Sequence, residues 1–126
     1  MKKLTLVFLI YFFSFVNFVY ALDSDKLINC AGIFTSTQFI KQGDLPNGDL
    51  SYKEMSLSAA KFIRNTLLDQ NIAEDKINSG INIKVDELYG KPYNDTAVNQ
   101  CYEYVYKSIA GSKEKIEEIS RTIYGG

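Results

Sequence analysis

Residues 81–86 read INIKVD, and whether they form a strand or the middle of a helix decides the fold. Ile81, Ile83 and Val85 alternate with polar neighbours directly after Gly80, the period-2 pattern of a half-buried strand. The same residues also belong to a longer series, Ile77, Ile81, Val85 and Leu88, at helical spacing. Asp86 and Glu87 are poor strand formers, and Gly90-Lys91-Pro92 has the chemistry of a helix stop. The helical reading over 74–89 is preferred on these grounds. It predicts that Ile77, Ile81, Val85 and Leu88 are buried together while Ile83 is more exposed. A strand would place Ile81, Ile83 and Val85 on one face.

A second stretch carries the same ambiguity. Tyr102-Glu103-Tyr104-Val105-Tyr106 alternates, yet Val98, Cys101, Tyr102, Val105 and Ile109 mark one helical face, opened by the capping sequence Asn94-Asp95-Thr96. The alternative fold is therefore α+β, with 81–86 and 102–106 paired as a two-stranded ribbon. A lone ribbon is marginal unless a helix covers it. The expected fold is all-α, a small bundle of about five helices.

The remaining segments have clear punctuation. From about Ser24 to Ile40, residues Leu27, Cys30, Ala31 and Phe34 form one stripe, with Asp23 or Ser24 as cap. Pro46-Asn47-Gly48 is turn chemistry. Ser51-Tyr52-Lys53-Glu54 fits a capping box and opens a helix from about Tyr52 to Asn71, with Met55, Ala59, Phe62, Thr66 and Leu67 on its stripe and Ala60 and Ile63 widening it. After Gly111, Ser112 is the expected cap of a fifth helix, whose stripe is Ile116, Ile119 and Ile123.

The N-terminus fixes how the cysteines are read. Lys2 and Lys3 precede an apolar run from Leu4 to Val19, and Val19-Tyr20-Ala21 suits signal peptidase, so residues 1–21 have the layout of a secretory signal peptide. Residues 22–126 are then a single small helical domain. An uncleaved segment would instead tether the domain to the membrane. Two cysteines in an exported chain pair as a rule, and Cys30–Cys101 would close a loop of about 70 residues, for which chain entropy assigns about 4 kcal/mol. A lipidated Cys30 does not fit, because Asn29 is too large for the cleavage position and four polar residues separate the apolar run from Leu27. The chain is rich in Lys, Asn, Ile and Tyr, a composition typical of AT-rich bacterial genomes, so the periplasm is the first choice of compartment and the extracellular space the second.

Composition excludes much chemistry. The chain has no histidine, so haem attachment through C-x-x-C-H, His/Cys zinc sites and His-based nucleophilic couples cannot be built. No catalytic residue, cofactor or metal ligand is assigned. The formal net charge is −1 and the basic residues are dispersed, so nucleic acid is not an expected partner. The acidic pairs Asp23/Asp25, Asp86/Glu87 and Glu117/Glu118 point about 100° or more apart on a helix, the arrangement of a solvated face. Asp44 to Asp49 resembles a calcium loop but lacks the bidentate Glu. Asn94-Asp95-Thr96 matches a glycosylation acceptor, and its reading here is a helix cap.

What remains is an aromatic surplus, nine tyrosines and no tryptophan. Tyrosine offers contact area and a hydroxyl at low entropic cost. Tyr89, Tyr93, Tyr104 and Tyr106, beside the Gly90-Lys91-Pro92 loop, form the candidate partner surface. The expected function is an exported, non-enzymatic helical module that binds a protein or an envelope component. The competing readings are a small hydrolase or lyase using carboxylates and tyrosine, which requires a pocket of convergent buried groups, and a membrane-tethered accessory protein.

Overall fold

In the computed structural model, which describes residues 22–125, the Asp23 carboxylate accepts from the Lys26 backbone N–H at 3.1 Å and opens the first helix. The expected signal peptide, residues 1–21, lies outside the described residues. Among the described residues five α-helices follow one another: α1 Ser24–Ser36, α2 Ser51–Asp69, α3 Glu74–Leu88, α4 Asp95–Ser108 and α5 Ser112–Tyr124. Short 3-10 turns occupy Thr37–Phe39, Gln42–Asp44 and Pro46–Gly48. There is no strand among the described residues, so the two-stranded ribbon is not formed. Residues 81–86 lie inside α3, with Ile77 and Ile81 buried and Ile83 66% exposed, as a helix demands, while Val85 and Leu88, expected to be buried with them, are only half-buried.

The fold is arranged around α1. It packs most extensively on α3 and α2 and reaches α4 on a third side, while α5 lies mainly against α2. Leu27, Ala31 and Phe34 are completely buried on its axis. Burying side chains of this size contributes about 1.5–3 kcal/mol each, except for the smaller alanine. The contact with α3 is intimate because glycines meet side chains across it. A Cβ on Gly80 would fall on Ile28 Cγ2, and a Cβ on Gly32 would fall on the stem of Lys84.

The link to α4 is covalent. Cys30 and Cys101 are joined with their Cα atoms 5.5 Å apart, within the range that unforced bridges occupy. Phe34 and Tyr102 reinforce the link, ring centroids 4.7 Å apart. At the far end of α4 the Ser112 hydroxyl, buried, donates to the Val105 carbonyl at 3.1 Å and ties the start of α5 to the helix before it. Arg64 of α2 bonds both Glu74, at 2.7 Å, and Asn78, at 3.3 Å, across the turn into α3.

Several local expectations are corrected. α1 stops at Ser36 and not at Ile40: the hydroxyls of Thr35, Ser36 and Thr37 donate to the carbonyls of Ala31, Ile33 and Phe34, and such back-bonding competes with the helical ladder. The capping box at Ser51–Glu54 does not form. Ser51 is already inside α2, and its N–H is held by the Asp49 carboxylate at 2.9 Å. Asp49 takes over the role expected of Ser51, and its pKa is lowered first by that backbone bond and then by the Ser51 side chain. Ser112 likewise sits one position inside its helix, after Gly111 at φ +75°. Its hydroxyl serves the tertiary contact and does not cap. Ile123 is 47% exposed, because α5 outruns the surface it packs on. Asn94 does cap α4, accepting from the Ala97 N–H at 3.0 Å. Asn71, at φ +63°, ends α2 in a Schellman arrangement, with Ile72 N–H on the Leu67 carbonyl and Asn71 N–H on that of Leu68.

Two outcomes follow for stability. Gly80→Ala gains helix propensity but overpacks Ile28, so urea unfolding is expected to show a net loss of roughly 1–2 kcal/mol; in an Ile28→Ala background the same change is expected to be neutral or stabilising. Replacing both cysteines with Ala is expected to cost about 2–5 kcal/mol, read from the shift of the same unfolding midpoint.

Candidate functional site

The tyrosines of α4 divide by helical angle. Val98, Cys101 and Val105 face the core. Tyr102 and Tyr106, four residues apart, share a flank and stack with centroids 5.8 Å apart at 28°. Tyr104 lies two residues from each, about 200° round the helix. It turns to the start of α1, where Lys26 Nζ stands 4.3 Å from its ring centre.

The Tyr102/Tyr106 flank faces the first turns of α2. Tyr52 and Met55 from α2, Tyr93 from the loop before α4, and Asn99, Tyr102 and Tyr106 from α4 line a groove of about 220 Å³. Tyr52 meets Tyr93 edge-on at 6.1 Å. Tyr102 forms the floor, its hydroxyl 3.3 Å from the buried hydroxyl of Ser56. The groove is thus a ring of phenols built on two helices and a short loop, with a thioether among them.

Burial governs the chemistry of these phenols. Tyr93 is pushed up to about 12, by burial first, then by the negative charge of Asp95 and by Tyr52. Tyr102 is raised further by burial, partly opposed by its hydrogen bond with Ser56. Tyr106 is raised by burial, then by Glu117 and Glu114 of α5. All three are neutral at physiological pH and present ring faces and hydroxyl groups. Phenols that resist ionisation are poor bases and poor nucleophiles. No group of three or more His, Cys, Asp or Glu side chains that could hold a metal ion occurs among the described residues.

Of the four tyrosines singled out from the sequence, Tyr93 and Tyr106 share this groove. Tyr89 stands apart at the end of α3, 68% exposed and edge-on to Phe39 at 5.4 Å. Tyr104 is on the other flank of α4. Sequence reasoning passed over Tyr52 and Tyr102 as groove residues and assigned Met55 to the core stripe. A signal was available: Tyr52, Met55 and Ser56 fall at i, i+3 and i+4, a face that can meet the i, i+4 pair Tyr102/Tyr106. Which two faces meet is a tertiary matter, set here by the disulfide that orients α4.

No protein-family model, curated protein or solved structure matches the chain.

The raised phenol pKa values give a signed pH dependence. A tyrosine whose folded pKa exceeds its unfolded value contributes stability that is present below the unfolded pKa and lost as pH climbs towards the folded one. For Tyr93 that window runs from 10.0 to about 12. Denaturation midpoints are expected to fall across this window, and phenolate absorbance is expected to show one set of tyrosines titrating late. Tyr93→Phe removes the contribution of that residue and is expected to flatten the fall.

Proposed function

We propose that the domain is a non-enzymatic binding module that works outside the cytoplasm and takes a protein or another envelope component in the tyrosine groove. The observation that carries this reading is the groove itself, four tyrosines and a methionine from α2, α4 and the loop before α4, with α4 tied covalently to α1. Rigid aromatic side chains around a small apolar depression are the usual composition of interface hot spots. The disulfide points to a non-cytoplasmic environment, and no helix among the described residues is long and apolar enough to cross a membrane. The layout of residues 1–21 supports export through a cleaved signal peptide, into the periplasm for a bacterial source.

The chemistry of the groove narrows the partner. Neutral phenols and the Asn99 carboxamide offer hydrogen bonds without charge, so an uncharged, partly apolar segment suits the floor. Carboxylates stand near its ends, Asp95 close to Tyr93 and Glu117 and Glu114 close to Tyr106. Basic residues flanking an apolar anchor would complement them.

The test is capture from the native envelope with a tagged chain. Tyr52→Ala combined with Tyr106→Ala is expected to reduce recovery of the specific partner by at least about tenfold, as loss of a hot spot does, while the helical circular dichroism is retained. Tyr89→Ala, away from the groove, is expected to leave capture unchanged. Undiminished capture by the groove variant, or loss of fold in it, would sink the proposal.

A further inference from the structure

The loop after α3 closes one end of the bundle over a partly enclosed cavity of about 190 Å³. Its walls are mainly apolar, with Ile33 from α1, Ile40 beyond it, Leu88 from α3, and Ala97 and Val98 from α4. A wider hollow of about 470 Å³ opens beside it. The two share Ser36, Ile40, Leu88, Lys91 and Pro92 in their walls, so they adjoin as an inner and an outer chamber of one recess.

Polarity changes along this recess. In the inner chamber the hydroxyls of Ser36 and Thr37 are turned back onto the Ile33 and Phe34 carbonyls, and the Asn94 side chain holds the Ala97 N–H. Lys84, at its edge, is paired with Glu87 at 3.1 Å. The inner chamber therefore offers a ligand mainly hydrocarbon. The outer chamber adds Lys41 and Asp44 to Lys91, all three exposed, so its mouth carries two cations against one carboxylate.

We propose that this recess binds an amphipathic anion, a medium-chain carboxylate whose alkyl chain fills the inner chamber and whose head lies at the mouth with Lys91 and Lys41. The volume fits, since an apolar cavity of about 150 Å³ already holds a benzene molecule. Exposed ion pairs add little, so the buried chain sets the affinity and the lysines select the head. This site is separate from the tyrosine groove and does not depend on how that groove is used, although Tyr93 lines both.

The experiment is calorimetric titration of the full chain, expressed for export and purified oxidised, with sodium octanoate and with octan-1-ol. Saturable octanoate binding is expected below its micellar concentration. Ala97→Phe fills the inner chamber and is expected to weaken both ligands by at least about tenfold, on the scale of losing several buried methylenes. Lys91→Gln combined with Lys41→Gln is expected to weaken octanoate by roughly two- to fivefold and to leave octanol unchanged, the size of an exposed charge contact. Should Ala97→Phe lose its helical signal, Ile40→Phe, outside the helices, blocks the same recess. Absence of octanoate binding, or binding that survives a folded blocking variant, overturns the site. Equal response of octanoate and octanol to the lysine changes overturns the assignment of the head.

Discussion

The bond between Cys30 and Cys101 is the constraint on which the arrangement of the second half of the chain depends. α1 meets α2 and α3 through broad apolar contact, but it approaches α4 closely over only a short length. What holds α4 there is the disulfide, the Phe34–Tyr102 contact beside it, and the buried faces of Val98 and Val105. α5 then inherits its position from both sides, from α2 by packing and from α4 through Ser112. A small domain has limited apolar area to bury, and a cross-link between distant residues offsets part of that shortage.

The same brace shapes both recesses. α4 is turned so that one flank, Tyr102 and Tyr106, closes on α2, and its first turn, Ala97 and Val98, closes on the end of α1 and α3. Tyr93, in the short loop between α3 and α4, stands between the two recesses as a common wall. One covalent tie thus fixes two concave surfaces of different character, one lined by phenols and the other by hydrocarbon with a cationic mouth.

Much of this fold was legible from periodicity. The α3 series Ile77, Ile81, Val85 and Leu88 outweighed the alternation in INIKVD because helical spacing persisted over about three turns, whereas the alternation lasted only six residues. Caps read less well. Asp49 displaced Ser51 because a hydroxyl or carboxylate can serve the backbone from several neighbouring sites, and Gly111 displaced Ser112 because the chain enters α5 at a left-handed φ and the Ser112 hydroxyl is taken by the Val105 carbonyl. The groove was only half legible. Tyr93 and Tyr106 were found from composition, but Tyr52 and Tyr102 belong to it only because two helices distant in sequence face each other. Residues 90–92 carry the local pattern of a stop signal, and the recess they cover is formed by side chains from three helices that no local pattern brings together.

A chain with one pair of thiols has a single internal connectivity, where four cysteines would have three. Oxidation within one molecule therefore has no wrong answer, and shuffling among bridges cannot trap it. The remaining error is a bond between two molecules. That competes with ring closure in proportion to concentration, while the burial of both thiols in the assembled core hides them from a neighbour once the helices have met. The single bridge thus makes correct oxidation a matter of dilution and timing, and requires no isomerase to correct it.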